Sequence, residues 1–175
     1  MKDKIKPTLV LTLICVIASL ILVAAFEITK DRIAAQQQEK FKSSVEALFG
    51  ECEYKLLDNN FGADEIESIA VTEDGKTAFQ ICADGYSKGG IEILVGIDEN
   101  GKVCGIEFVS LGETPGLGTK VRDNSDFRQQ FIGADSTDYS FDAITGATYS
   151  SKGMKNAVDT AIQVFNNNKE AILNG

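Results

Sequence analysis

An unbroken apolar segment near the N-terminus most constrains how this chain can fold. Residues 8–26 read TLVLTLICVIASLILVAAF, nineteen residues without a charge, a glycine or a proline. At about 1.5 Å of rise per residue, a helix of this length measures about 28 Å and can cross a bilayer core of about 30 Å. The sequence therefore predicts a single transmembrane helix, which anchors the chain through residues 1–26.

The residues that flank this helix predict its orientation. Lys2, Lys4 and Lys6 precede it with one Asp3, and positive residues tend to stay in the cytoplasm. We therefore expect a cytoplasmic N-terminus in the plasma (inner) membrane and an extracytoplasmic C-terminal part. The alternative is a cleaved signal peptide, because small residues occur at 23–25. Retention as an anchor is favoured, because the apolar run exceeds the usual 7–15 residues of a signal core.

The residues after the anchor predict a helical stalk and then a folded domain. Residues 27–49 contain no glycine or proline, and Gly50 is a plausible helix end. The predicted boundaries are 27–50 for the stalk and 51–175 for the extracytoplasmic domain. Residues 166–175 are polar, and we expect them to be frayed.

The pattern of the domain indicates an α+β fold, in which helices cover an antiparallel sheet. Two pairs of apolar runs flank short turns that end in Asp-Gly-Lys and Asn-Gly-Lys, which is typical of β-hairpins. The predicted strands are 66–71 with 77–81, and 91–97 with 103–109. A short helix with Ser125 as its cap and Gly133 as its stop follows. A longer helix begins after Thr148, and its apolar stripe is formed by Met154, Ala157, Val158, Ala161, Ile162 and Phe165.

The amino-acid composition excludes several classes of catalytic and binding site. The chain has no histidine, which excludes imidazole bases, Ser-His or Cys-His nucleophiles, and histidine-ligated metal. With 17 Lys plus Arg against 26 Asp plus Glu, its net charge of −9 argues against nucleic-acid binding. We expect no catalytic residue and no metal site, and we expect any chemistry to depend on a bound group.

The four cysteines leave two alternatives open. They lie at positions 15, 52, 82 and 104 without a C-x-x-C motif, so they do not have a metal-ligand spacing. The last three can form one disulfide and leave one free thiol, or all three can be buried and reduced. The second alternative is favoured, because free cysteine is commonly buried.

Two loops have the composition of a phosphate site. The first, Gly112–Gly118, follows a strand and contains three glycines and a Pro-Gly pair, which is typical of a type II turn. The second, Asp142–Ser151, brings four hydroxyl residues to the start of the last helix. Unpaired N–H groups there can bind an anion. The simpler alternatives are a plain connection for the first loop and a helix-capping cluster for the second.

These residues resemble a known family. The segment D-x-x-T-G-A-T, Asp142 to Thr148, is similar to the flavinylation motif of a family of FMN-binding domains. This domain occurs in the G subunit of the Rnf complex (RnfG) and in the C subunit of the sodium-pumping NADH:quinone reductase. The segment E-T-P-G-L-G, Glu113 to Gly118, resembles the second signature of that family, and Gly90–Asp98 resembles its central strand. The resemblance extends from about Asp84 to Phe165, and the N-terminal anchor also agrees.

The resemblance implies an electron carrier. FMN would be joined through its phosphate to Thr148 as a phosphoester, after recognition by a flavin transferase. The implied cofactor-binding residues, besides Thr148, are Glu113, Thr114, Leu117, Gly118, Thr145, Gly146, Ala147, Ser150 and Ser151. The implied transferase-recognition residues are Asp142, Thr145, Gly146, Ala147 and Thr148.

The resemblance also implies partners and a role. The protein would relay electrons among the other membrane subunits of the Rnf complex (A, B, C, D and E) during ferredoxin:NAD oxidoreduction coupled to Na⁺ or H⁺ translocation. The alternatives are the C subunit of the quinone reductase, whose members are longer, a free-standing extracytoplasmic flavoprotein, and a non-redox membrane-anchored binding module. Many family members have a histidine shortly before the Glu of the second signature, where this chain has Leu111 and Gly112. The resemblance therefore does not fix the flavin potential.

Overall fold

The computed structural model describes residues 2–57 and 61–174, except the side chains at 2–6, 8 and 174. The chain divides into two compact units, Met1–Phe41 and Lys42–Gly175. The side chains of Lys2, Asp3, Lys4 and Lys6, on which the predicted orientation rests, lie outside the described residues.

The first unit is part of one long helix, α1 (Lys2–Phe49). From Leu9 onward this helix is long and apolar enough to cross a membrane. Its apolar side chains between residues 9 and 26 are exposed, as lipid-facing residues should be. The predicted helix over residues 8–26 and its helical continuation are confirmed. Gly50 ends the helix with φ +83°, and its N–H donates to the carbonyl of Glu46 at 2.8 Å.

The second unit is built on a five-stranded antiparallel sheet with strand order β1-β2-β3-β4-β5. Helices follow the sheet in the chain, so the predicted α+β class is confirmed. The strands are β1 (Tyr54–Leu57), β2 (Ile66–Thr72), β3 (Thr77–Ala83), β4 (Ile91–Ile97) and β5 (Val103–Leu111), and the helices are α2 (Lys120–Asp123), α3 (Ser125–Gln129) and α4 (Thr148–Asn174).

Both predicted hairpins are confirmed. Val71 pairs with Thr77 across the first turn, and Ile97 pairs with Val103 across the second. Gly75 and Gly101 take φ values of +79° and +87°, which a side chain would make costly. The sequence reasoning missed strand β1, because its four residues are too few to show a period.

One face of the sheet packs against α4 to form the core. The buried side chains of β3 and β4 contact the predicted apolar stripe of α4, all of whose members are buried. The rings of Phe79 and Phe165 meet edge to face with centroids 6.4 Å apart. The core thus fixes α4 over the sheet and sets the position of its first turn.

The last turn of α1 packs on the other face of the sheet. Gly96 and Gly105 are paired across β4 and β5, and a Cβ at either position would lie 2.7 Å from a methyl carbon of Leu48. The two glycines therefore form a notch that accommodates Leu48.

Three predictions within this unit are wrong. Asn124 caps α3 instead of Ser125, because the Asn124 side chain accepts the N–H of Phe127. The last residues are not frayed, because α4 continues to Asn174 past a break at Asn168 and Ile172 is 1% exposed. The favoured cysteine alternative is right in one part and wrong in the other, because all four cysteines are free, as predicted, but none is buried.

Candidate functional site

The two glycine-rich loops meet the start of α4 at one cleft. Its volume is about 350 Å³. The loops approach closely, because a Cβ at Gly146 would lie 3.9 Å from Cδ2 of Leu117. The cleft is lined by Tyr86, Glu113, Thr114, Leu117, Gly118, Gly146, Ala147, Thr148, Tyr149 and Ser150.

The first loop turns as its Pro-Gly pair predicts. The Leu117 N–H donates to the carbonyl of Thr114 at 3.2 Å, and Gly116 has φ +74°, as the third position of a type II turn requires. The Gly116 N–H donates to Oγ1 of Thr119 at 3.0 Å. This turn presents the half-exposed Leu117 side chain to the cleft.

Glu113 holds three segments together beneath the cleft. Glu113 is buried, with only 5% of its surface exposed. The N–H groups of Tyr86 and Ser87 donate to its carboxylate at 3.2 and 3.0 Å, and the Ser150 hydroxyl donates at 2.5 Å. A buried carboxylate needs such donors to offset its lost hydration. Glu113 thus joins the loop after β5 to residues 86–87 and to the first turn of α4.

Glycine makes room for this carboxylate. A Cβ at Gly118 would lie 2.5 Å from Oε2 of Glu113 and 2.8 Å from Oγ of Ser150. Cβ atoms at Gly85 and Gly90 would each lie 2.6 Å from Oε1 of Glu113. These three positions therefore explain part of the glycine content of the site by packing alone.

The second loop turns directly into α4. The Ala147 N–H donates to the carbonyl of Ile144 at 2.9 Å, with Gly146 at φ +82°. The first helical bond follows, from the Ser151 N–H to the carbonyl of Ala147 at 2.8 Å. Within the described part of the chain, the N–H groups of residues 148–150 have no assigned acceptor. These N–H groups and the helix dipole favour an anion at this end of α4.

Two of the predicted cofactor-binding residues do not line this cleft, and neither does Asp142 of the predicted transferase-recognition segment. Thr145 is exposed and lines a neighbouring cleft together with Asp142. Ser151 is buried, and its hydroxyl accepts the N–H of Ile144 at 3.0 Å. Ser151 therefore contributes to holding the second loop. The other predicted cofactor-binding residues, including the exposed Thr148, line the cleft.

Gln130 fixes the backbone at the start of the motif. Its Oε1 accepts the N–H of Asp142 at 2.7 Å, and its Nε2 donates to the carbonyl of Asp142 at 3.3 Å. The Asp142 residue itself remains exposed. The two hydrogen bonds from Gln130 therefore fix the backbone of the loop and leave the Asp142 carboxylate accessible.

Sequence reasoning missed two aromatic residues at the rim. Tyr86 and Tyr149 are 74% and 71% exposed, and their rings meet edge to face with centroids 6.4 Å apart. Tyr149 directly follows Thr148, so its position in the sequence could have indicated it. Tyr86 carries no such signal, because only the fold brings residues 84–90 beside α4.

The chain is similar to proteins of one family. Residues 85–163 match the family model of the FMN-binding domain. The G subunit of the ion-translocating oxidoreductase complex of Vibrio vulnificus is 31% identical, over 84% of this chain and 82% of that protein. The corresponding protein of Aliivibrio fischeri strain MJ11 is 29% identical over 96% and 93% of the two chains. The G subunit of the proton-translocating ferredoxin:NAD⁺ oxidoreductase complex of Clostridium ljungdahlii is 32% identical over 87% and 86%.

Proposed function

This chain belongs to the family of G subunits of ion-translocating oxidoreductase complexes, and from that membership we propose that it relays electrons through an FMN joined covalently to Thr148. The observation that carries the proposal is the placement of the exposed Thr148 in the cleft, in the first turn of α4. As a family member with a long apolar helix, the chain is a single-pass membrane subunit of a redox complex.

The residues of the cleft fit a phosphorylated flavin. Its volume lies within the range of about 300–1,000 Å³ that is typical of small-molecule sites. Leu117, Tyr86 and Tyr149 offer apolar and aromatic surface to a ring system, while the first N–H groups of α4 suit a phosphate. The Thr148 hydroxyl can form an ester with that phosphate.

The chain's own residues would bind and position the cofactor. A bound flavin supplies one- and two-electron chemistry that the side chains of this protein lack. Thr148 tethers it, so that it is not lost on the outer side of the membrane. Thr114 and Leu117 form one wall of the cleft, and Gly146 and Ala147 form the other. Ser151 supports the second loop by accepting the N–H of Ile144. No further substrate site is needed for this role.

Maturation would depend on the exposed part of the second loop. We propose that a flavin transferase recognises Asp142–Thr148 and attaches FMN to the last residue of that segment. The exposure of Asp142, Thr145 and Thr148 supports this proposal, because an enzyme must reach these side chains. Gln130 supports it by holding the Asp142 backbone in one conformation.

The orientation and the partners are also proposals. The lysines that precede the apolar segment favour a cytoplasmic N-terminus and an extracytoplasmic domain. The partners would be the other membrane subunits of the Rnf complex (A, B, C, D and E), with electron transfer between ferredoxin and NAD coupled to Na⁺ or H⁺ translocation. The similarity to the ferredoxin:NAD⁺ oxidoreductase protein of Clostridium ljungdahlii supports this reaction over that of a quinone reductase.

Covalent flavin can be tested in a denaturing gel. Full-length protein, expressed with a flavin transferase, should fluoresce under ultraviolet light, and Thr148→Ala should abolish the fluorescence. Asp142→Ala should weaken it. Thr137→Ala is the matched control, because Thr137 lies outside both the motif and the cleft, and it should retain full fluorescence. Fluorescence that survives in Thr148→Ala would rule out the proposed attachment.

A further inference from the structure

A buried carboxylate forms part of the cleft wall. Glu113 lines the cleft, and its two oxygens accept three hydrogen bonds, from the N–H groups of Tyr86 and Ser87 and from the hydroxyl of Ser150. Three donors from two separate segments therefore converge on the Glu113 carboxylate.

The position of this carboxylate is fixed by packing. The backbones of Gly85, Gly90 and Gly118 approach the carboxylate so closely that a Cβ on any of them would overlap it. The carboxylate cannot rotate away without losing donors from two separate segments. It is thus held in one position and is shielded from the water that screens a surface carboxylate.

No cation within the cleft balances this charge. Of the described residues that line the cleft, Glu113 alone is ionisable at neutral pH. Positive potential comes from the first N–H groups of α4, at the end where we placed the phosphate. Among the described residues of the cleft wall, the Glu113 carboxylate is thus the group that opposes added negative charge.

We propose that Glu113 lowers the reduction potential of flavin bound in this cleft, and so makes it a stronger electron donor. This inference rests on the proposed function. Electron uptake adds negative charge to a flavin, and the fixed carboxylate opposes that addition. A cleft of this volume is on the order of 9 Å across, so at an effective dielectric constant of about 20 the repulsion changes the reduction equilibrium by roughly twentyfold.

Two substitutions with opposite expected effects test this proposal. Glu113→Gln removes the carboxylate and should raise the equilibrium constant for reduction by roughly twentyfold. Ser150→Ala keeps the charge but removes a donor that partly compensates it, and should lower the constant by about threefold. Loosening of the cleft would move both variants in the same direction. Glu107→Gln is the matched control, because it removes the same charge from a β5 position that does not line the cleft.

The measurement is the equilibrium of full-length, flavinylated protein in detergent with a reference redox dye, followed by flavin absorbance. A constant for Glu113→Gln at or below that of wild type overturns the proposal, as does a constant for Ser150→Ala above it. If Glu113→Gln does not fold, Ser150→Ala alone decides between the two directions. Wild-type protein without flavin fluorescence would instead refute the proposed function, and this inference with it.

Discussion

Replacement of Gly153 by alanine tests how α4 is seated against the cleft. Gly153 is buried on α4. A Cβ there would lie 2.3 Å from the carbonyl oxygen of Asp84 and 3.1 Å from Cα of Gly85. Both are backbone atoms, so no side-chain rotation relieves the contact. Since ordinary contact begins near 3.4 Å, the helix and the loop must separate by about 1 Å.

Two effects of opposite sign decide the outcome. Alanine in place of glycine in a helix interior stabilises by about 1 kcal/mol. Overpacking against backbone costs about 3 kcal/mol, at the upper end of its usual range. Displacement of residues 84–85 also weakens the bonds from Tyr86 and Ser87 to Glu113, which costs about 1 kcal/mol more. The unfavourable packing outweighs the gain in helix propensity, so we expect the free energy of unfolding to fall by about 3 kcal/mol.

Thermal unfolding of the full-length protein in detergent measures this loss. For a domain of this size, about 3 kcal/mol corresponds to a decrease in Tm of roughly 10 °C. Near-ultraviolet circular dichroism of the tyrosines reports on the folded domain. Lys152→Ala is the control, because its exposed side chain lies next to Gly153 on the same helix, and we expect a change within about 0.5 kcal/mol.

A Gly153→Ala variant that is as stable as wild type, or more stable, would refute this reasoning. It would mean that helix propensity outweighs the contact, and that the close approach of α4 to residues 84–85 does not limit the fold. A Lys152→Ala variant that loses as much stability would equally show that the effect is not specific to the Gly153 contact.

Two further predictions concern residues that hold the segments before α4. Gln130→Ala removes both hydrogen bonds to the Asp142 backbone, so we expect flavin attachment to slow at least about threefold in a gel-fluorescence time course. The free energy of unfolding should fall by about 1 kcal/mol. Gln129→Ala is the control, and an unchanged attachment rate in Gln130→Ala would contradict the prediction. Burial, followed by a hydrogen bond to Asp159, raises the pKa of Tyr139. Because the folded-state pKa lies above the unfolded value of about 10, this stabilisation is complete below pH ~10 and is lost as the pH rises further. In urea unfolding, the free energy of unfolding of Tyr139→Phe should therefore decline less above pH ~10 than that of wild type. An equal decline in the two proteins would contradict this prediction.

Local periodicity was sufficient to predict most of the elements in this chain. The apolar run of residues 8–26, the two hairpins and the stripe of α4 each have a pattern that one type of secondary structure satisfies. The elements that the sequence did not reveal are β1 and α2, which have four residues each, too few to establish a period. The end of α4 was mispredicted because Ile172 is a single apolar residue in a polar tail, and only the fold buries it.

Residues close together in the chain encode the membrane helix, the α+β class and the two loops that resemble a flavin-binding family, so local patterns were enough to predict them. Which residues share the cleft depends instead on contacts between distant segments. Tertiary structure brought Tyr86 beside Tyr149 and directed the carboxylate of Glu113 inward to Ser150, thirty-seven residues away. It also turned Ser151 away from the cleft. Contacts between distant segments depend on sheet register and on the seating of α4, and no local pattern records either of them.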